Sequence, residues 1–298
     1  MATPGMLYKY MTSETLRKII ENSSLRISKP SDFNDPFDSN FPGFSGKVKV
    51  KLMLERMFSK HSKDNGVYKE KLKEFIRREV DTEKFESIIK DAIEDLRLGW
   101  DKYIDNYRIL CLTPNKAHIL MWSHYARYHQ GAVLGFDFRS EFFFKEINEV
   151  HYNKKDSLID DIVSEGMKAI SDYVLHHPSS FDVAIEQLDS LLSEDSVIEK
   201  IVRYAVERLN PSFFKKKYAW NYEDEWRIVR LSSDGEVNFL PFEKASLKEV
   251  IFGIGMNEYE KENTINLLSS LNYKAKVFQA RKANSEMTFD DITHQVYK

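Results

Sequence analysis

The chain is poor in cysteine. Its 298 residues hold one, Cys111, so no disulfide can form within it, and a reducing, cytoplasmic setting is expected. Long apolar runs are missing too: no stretch approaches the roughly 20 apolar residues that cross a bilayer. The opening residues Met1 to Gly5 lack a basic start followed by an apolar run. Neither a membrane span nor a secretory signal is therefore expected. Cations are not in excess. Lys plus Arg number 44 against 47 Asp plus Glu, a net charge of −3, which argues against nonspecific coating of nucleic acid but leaves room for a local basic patch. There is no Gly-rich phosphate loop, no Gly-x-Ser-x-Gly elbow, no Cys-x-x-Cys pair, no internal repeat and no low-complexity linker. What remains is a chain with 42% apolar residues, enough for a sizeable core, and a length between that of one compact domain and three.

Strand-like and helix-like blocks alternate. Leu7-Tyr8-Lys9-Tyr10 reads as a short strand. Thr12 or Ser13 caps a helix with Leu16, Ile19 and Ile20 at helical spacing, and Ser24 to Ser28 is strand-like up to Lys29-Pro30. Residues of about 47–105 read as mostly helical, most clearly where Phe85, Ile88, Ile89, Ala92, Ile93 and Leu96 share one face. Tyr107 to Leu112 is a strand stopped by Pro114, the block up to Gln130 is helical, and Gly131 to Phe138 is a buried strand. A second helical block covers about 156–210. Strands follow at Trp226 to Leu231, Val237 to Leu240 and Glu249 to Phe252. A helix at Glu258 to Leu271 leads to a last strand at Ala275 to Phe278. The expected fold class is α+β: residues 1–298 form a single domain with a mixed or antiparallel β core, interrupted by two helical insertions.

Three constellations carry chemistry. The first joins the opening strand to Ser28-Lys29-Pro30-Ser31-Asp32-Phe33-Asn34-Asp35-Pro36-Phe37-Asp38. Asn34, Asp35 and Pro36 form turns, so this is either a turn packed by Phe33 and Phe37 or a ligand loop. Its aspartates lack the alternation and the glycine of a calcium loop, and no metal is expected. The second is Met121-Trp122-Ser123-His124-Tyr125-Ala126-Arg127-Tyr128-His129-Gln130-Gly131. On a helix His124 and Tyr128 share a face while His124 and His129 diverge, which is not a zinc pair. This is either an aromatic helix packed on a sheet or a cleft wall that stacks on a base or nicotinamide ring. The third is Trp220-Asn221-Tyr222-Glu223-Asp224-Glu225-Trp226-Arg227. In a strand, Glu223, Glu225 and Arg227 share one face. They read either as an edge strand with weak exposed ion pairs or as paired carboxylates in a cleft. Lys215-Lys216-Lys217 beside Phe213, Phe214 and Tyr218 is read as solvated surface, although nucleic-acid grooves use the same mixture. Cys111, within an apolar strand, is read as a buried small residue.

In their order, these motifs resemble a bacterial family known only as domain of unknown function 2971. The carrying residues are Leu7 to Tyr10, Phe33 to Asp38, Met121 to Ala126 with His129 to Gly131, Tyr222 to Arg227, and Val250 to Gly253. More distantly, the opening strand, the Leu-x-x-Ile-Ile helix and the late acidic strand resemble ADP-ribosyltransferase-like domains. That resemblance implies catalysis by Glu225, with Glu223 completing a Glu-x-Glu pair, and NAD as substrate without a metal. It implies NAD contacts from Lys9, Tyr10, Ser28, Asn34, Asp35, Trp122, His124, Tyr125 and Arg227. Lys9 departs from that superfamily, which often has histidine or arginine there.

The resulting expectation is an enzyme that cleaves NAD and transfers ADP-ribose to a protein or nucleic-acid acceptor, in bacterial stress or phage defence. Two rivals stand beside it. One is a metal-dependent enzyme acting on nucleic acid through Asp35, Asp38, His124 and His129. The other is a non-catalytic sensor or interaction module.

Overall fold

The computed structural model describes residues 3–41, 74, 82–153, 159, 213–232, 238–284 and 286–296. The chain divides into two compact units. One comprises Met1–Asp38, Ile104–Asn153 and Phe214–Lys298, the other Ser39–Tyr103 and Lys154–Phe213. The sequence-predicted helical block at about 156–210 and most of the block before Thr82 lie outside the described residues.

The first unit is α+β, with one mixed sheet and smaller companions. Strands β1 (Leu7–Met11), β4 (Ala132–Phe136), β10 (Leu247–Phe252), β11 (Lys276–Ala283) and β12 (Glu286–Asp291) form a five-stranded sheet in that order. Only β10 and β11 run parallel in it. A parallel pair needs a crossover, and helix α4 (Glu258–Ser270), capped by Asn257, provides it. β12 continues past the strand expected to be the last. Its sequence is mostly polar, and only Met287 and Phe289 turn half-buried toward the sheet, as an edge strand allows.

A second sheet has β8 (Trp226–Leu231) between β3 (Tyr107–Leu112) and β5 (Asn148–Glu149). Two-stranded pieces join β2 (Ser24–Arg26) to β9 (Phe239–Pro241), and β6 (His151–Asn153) to β7 (Lys215–Lys217). Backbone bridges stitch the layers near the end of β3. Tyr8 and Thr113 exchange hydrogen bonds of 2.6 and 3.0 Å, and Ser28 and Ile109 exchange bonds of 2.9 and 2.8 Å.

Helix α1 (Ser13–Asn22) starts at Thr12, whose hydroxyl accepts from the Thr15 amide, and buries Leu16, Ile19 and Ile20. These join Leu134, Phe136, Val250, Phe252 and Val277 in the main core. Tyr8 lies opposite Gly135 across β1 and β4. A Cβ at Gly135 would stand 2.6 Å from the Tyr8 ring, so the ring occupies space that only glycine leaves.

In the second unit, helix α2 (Thr82–Ile104) buries Ile89, Ala92, Ile93 and Trp100. The Trp100 indole N–H donates to the Ser39 carbonyl at 2.8 Å, and its ring meets Phe41 edge-on. Among the described residues no helix is long and apolar enough to cross a membrane.

Candidate functional site

A hollow of about 310 Å³ opens in the first unit. Strand β1 supplies Tyr8, Lys9 and Tyr10, and β3 supplies Ile109, Cys111 and Leu112, with Thr113 after it. The loop after β2 supplies Ser28 and Asp32 to Asn34, and helix α3 (Ile119–Tyr125) supplies Met121, His124 and Tyr125. The floor is charged: Asp38, Lys216, Glu223 and Glu225. Of the eleven residues singled out from sequence, Lys9, Tyr10, Ser28, Asn34, His124, Tyr125, Glu223 and Glu225 line this one space.

The floor is an ion network almost sealed from solvent. The Lys216 ammonium donates to Glu223 at 2.5 Å and to Glu225 at 3.1 Å, and lies 3.3 Å from Asp38. Arg227 is fully buried. Its Nε and Nη2 donate to Glu225 at 2.8 and 3.0 Å, and its Nη1 and Nη2 donate to Asp38 at 3.0 and 2.5 Å. Phe33 packs its ring 5.7 Å from the same guanidinium. Burial on this scale costs several kcal/mol per ion unless each charge is paired and hydrogen-bonded, and here each is.

The two glutamates are shifted in opposite directions. Burial raises the pKa of Glu223, with Glu225 adding to the rise and Lys216 opposing it. For Glu225 burial also works upward, but Arg227 and Lys216 outweigh it and bring the pKa down to about 2. Glu225 is thus a fixed anion, while Glu223 is a carboxyl that takes up a proton more readily. Lys216 stays charged: burial lowers its pKa, but Glu225, Asp38 and Glu223 together more than offset this. Tyr125 donates to Glu223 at 2.6 Å and accepts from Asn34. Burial, then Glu223, push its phenol far upward. The backbone N–H of Glu225 donates to the Tyr152 hydroxyl at 2.8 Å.

Lys9 has a different environment. Its ammonium donates to the Cys111 carbonyl at 3.4 Å, and burial lowers its pKa against the pull of Cys111 and Glu225. The Cys111 thiol is raised well above its usual value, first by burial and then by Glu225, to which it donates. It is a protonated wall residue and not a thiolate nucleophile.

Several sequence-predicted roles do not match the geometry. Trp122 does not face the hollow. It is fully buried, edge-on to Tyr10 at 5.4 Å, and its indole N–H donates to the Lys116 carbonyl at 2.9 Å. Asp35 turns inward to accept from the Phe37 amide at 2.9 Å, the turn-forming reading of that loop. Arg227 is saturated by carboxylates beneath the floor and is not positioned to take a pyrophosphate. Glu223 is not on the strand. It ends a 3₁₀ turn over Tyr218–Glu223, and Asp224 is left-handed at φ 46°. β8 is a central strand and its acid–base pairs are buried, so the exposed-edge reading fails.

The helix expected to reach Gln130 stops at Tyr125, and Arg127, Tyr128 and His129 follow with φ of 47°, 53° and 65°. Tyr128 therefore leaves the face of His124 and is 79% exposed. The turn is clamped by close backbone: a Cβ on Gly253 would stand 2.2 Å from the His129 carbonyl oxygen. Asp35 and His129, required by the metal-dependent reading, lie off the hollow. Among the described residues no group of three or more His, Cys, Asp or Glu is arranged to hold a metal.

Lys216, read from sequence as solvated surface, and Asp38, weighed there only as part of a metal-dependent site, both belong to the floor. The lysine run reads as solvent-facing, yet strand alternation in β7 sends Lys216 inward, with its side chain 6% exposed, while Lys217 stays outside. The available signal was the period of two, with a central lysine only seven residues ahead of Glu223.

At the rim stands an aromatic group. The Trp220 ring lies 6.3 Å from His124, 5.9 Å from Tyr222 and 5.2 Å from the Lys216 ammonium, and Tyr222 stacks on His118 at 5.1 Å.

No curated protein and no solved structure matches the chain. These comparisons give no support to the ADP-ribosyltransferase resemblance. The opening-strand, Asn34 loop and late-strand motifs lie outside the one family match. That match runs from helix α3 to strand β8 and so takes in the aromatic wall and both site glutamates: residues 121–228 match the model of the family described as protein of unknown function, DUF2971.

Proposed function

We propose that the hollow binds the nicotinamide–ribose end of NAD and cleaves the bond between them, passing ADP-ribose to an acceptor. The observation that carries this reading is the charge of the floor. Three carboxylates (Asp38, Glu223 and Glu225) face the cations Lys216 and Arg227, while Lys9, the further cation at the hollow, is held toward its neutral form. A buried site with surplus negative charge favours a cationic occupant. The nicotinamide ring of NAD is a cation, and ribose becomes one as the bond breaks.

Glu225, fixed as an anion, stabilises the developing oxocarbenium charge. The pair of electrons in the broken bond leaves with nicotinamide. Glu223, the more basic carboxylate, accepts the proton of the incoming acceptor. Tyr125, oriented by Asn34 and bonded to Glu223, orders that carboxylate. His124 offers a ring face on the wall, and an entering phosphate draws Lys9 back to its charged form, which donates to a phosphate oxygen at the expense of its weak carbonyl contact. The departure of Arg227 from the ligand-binding set leaves Lys9 as the phosphate partner. The bacterial, cytoplasmic context of stress or phage defence belongs to the same proposal.

The test is to incubate the protein with NAD and cell extract and to quantify free nicotinamide. The expected result is release that falls by about 10²–10³-fold in Glu225→Gln, the size of loss seen when one preorganised electrostatic group is removed. Absence of release from the wild type, together with no heat of NAD binding, would end the proposal.

A further inference from the structure

The rim chemistry points to the acceptor. We infer that the site transfers ADP-ribose to a base of single-stranded nucleic acid, stacked on Trp220 beside His124. This rests on the NAD reading of the hollow and extends it.

Three observations converge. First, Trp220 and Glu223 are three residues apart in one 3₁₀ turn, where residues at that spacing share a face, so the indole is on the same side of the turn as the carboxylate that takes the acceptor's proton. The geometry agrees, since Lys216 lies 5.2 Å from the Trp220 ring and 2.5 Å from Glu223. Second, Trp220 is half-buried with a neighbouring exposed imidazole, His124, at 6.3 Å. This leaves an open aromatic platform at the mouth and not a sealed core contact. Every nucleobase has a π-face, and stacking on such platforms is the sequence-tolerant part of single-strand recognition. Third, the strand leading to the platform carries cations outward. Alternation in β7 places Lys215 and Lys217 on the side opposite Lys216, and the Lys217 ammonium sits 3.9 Å over the ring of Phe37, itself 59% exposed. A cation beside an exposed ring is suited to a phosphate with its attached base, and this pairing stands on the chain that leads into the platform.

The step balances simply. A nitrogen of the stacked base attacks C1′ of the ribose. The new bond forms as the C1′–nicotinamide bond breaks, its electron pair leaves on nicotinamide, and the proton of the attacking N–H passes to Glu223 and then to water.

The experiment uses the full chain with NAD labelled in its adenylate phosphate. Separate tubes contain single-stranded DNA, single-stranded RNA or an arginine-rich peptide, and label transfer and nicotinamide are read together. The expected outcome is label on an oligonucleotide, with nicotinamide released in step. Nicotinamide release with label on the peptide, or only on free ADP-ribose, overturns the acceptor inference while the NAD reading stands. No nicotinamide in any tube removes both. Oligonucleotide affinity by fluorescence anisotropy gives an independent arm. Trp220→Ala is expected to weaken binding by at least about tenfold, and Trp220→Phe, which keeps a ring face, to stay within about threefold. Equal affinity of wild type and both variants overturns the inference.

Discussion

Strands β4 and β8 are both central in their sheets and both buried over their first residues, yet they are built from opposite materials. β4 is Ala-Val-Leu-Gly-Phe, and each of its residues is buried. β8 enters its sheet from Glu225 and carries Arg227 at 0% exposure between Trp226 and Ile228. Packing alone explains β4, because apolar burial stabilises at about 25 cal/mol per Å² and asks for no partners. Nothing in sheet formation calls for Arg227, since a buried ion pair is seldom more stabilising than a well-packed apolar replacement. The difference marks one sheet as apolar support and the other as the place where buried charge is concentrated.

The largest expected effect lies in β8. Arg227→Met leaves Glu225, Asp38 and Glu223 to share the Lys216 ammonium, an excess of buried negative charge, and unfolding in urea should show a loss of about 3–5 kcal/mol. Adding Asp38→Asn should recover part of that loss. If the single variant costs under about 1 kcal/mol, the network is not the sealed system described. The matching change in β4, Leu134→Ala, removes core volume and should cost about 2–5 kcal/mol, with no partner change able to rescue it.

Acid sharpens the contrast further. Glu225 is depressed from 4.5 to about 2 in the fold, so its contribution is present above pH 4.5 and is lost as pH falls toward 2. Glu223 is raised, so its contribution is full below 4.5 and is lost as pH rises through its folded value. Glu225→Gln should therefore flatten the acid limb of stability against pH, and Glu223→Gln the decline above pH 4.5. Leu134→Ala should lower the whole curve without changing its shape. Urea midpoints across pH would show it.

The sequence made β4 plain because hydrophobic runs bounded by polar residues report burial directly. The Thr12 cap and the Leu16, Ile19, Ile20 stripe of α1 were legible for the same reason. Candidate site residues were legible where polar and aromatic types clustered, as at Asn34, His124, Tyr125, Glu223 and Glu225. What hid the rest was direction. Lys216 is chemically identical to Lys215 and Lys217, and only the strand phase turns it inward. Trp122 and His124 are neighbours of similar promise, and the helix sends one into the core and the other to the rim. The end of α3 carried no breaker: three non-glycine residues hold left-handed backbone there, paired instead with Gly131 and Gly253 across a close approach. That last feature predicts the smallest effect. Tyr128→Gly should raise stability by about 0.5–1 kcal/mol in thermal or urea unfolding, because relief of φ strain outweighs the added freedom of the unfolded chain.

The central claim is that the charged hollow beside β8 receives NAD. The most direct test is to titrate NAD into the protein while recording the histidine ring resonances. His124 lies on the hollow wall and His294 does not. A saturable shift of His124 with His294 unmoved is the predicted result, and NAD that leaves the His124 signal in place would contradict the account.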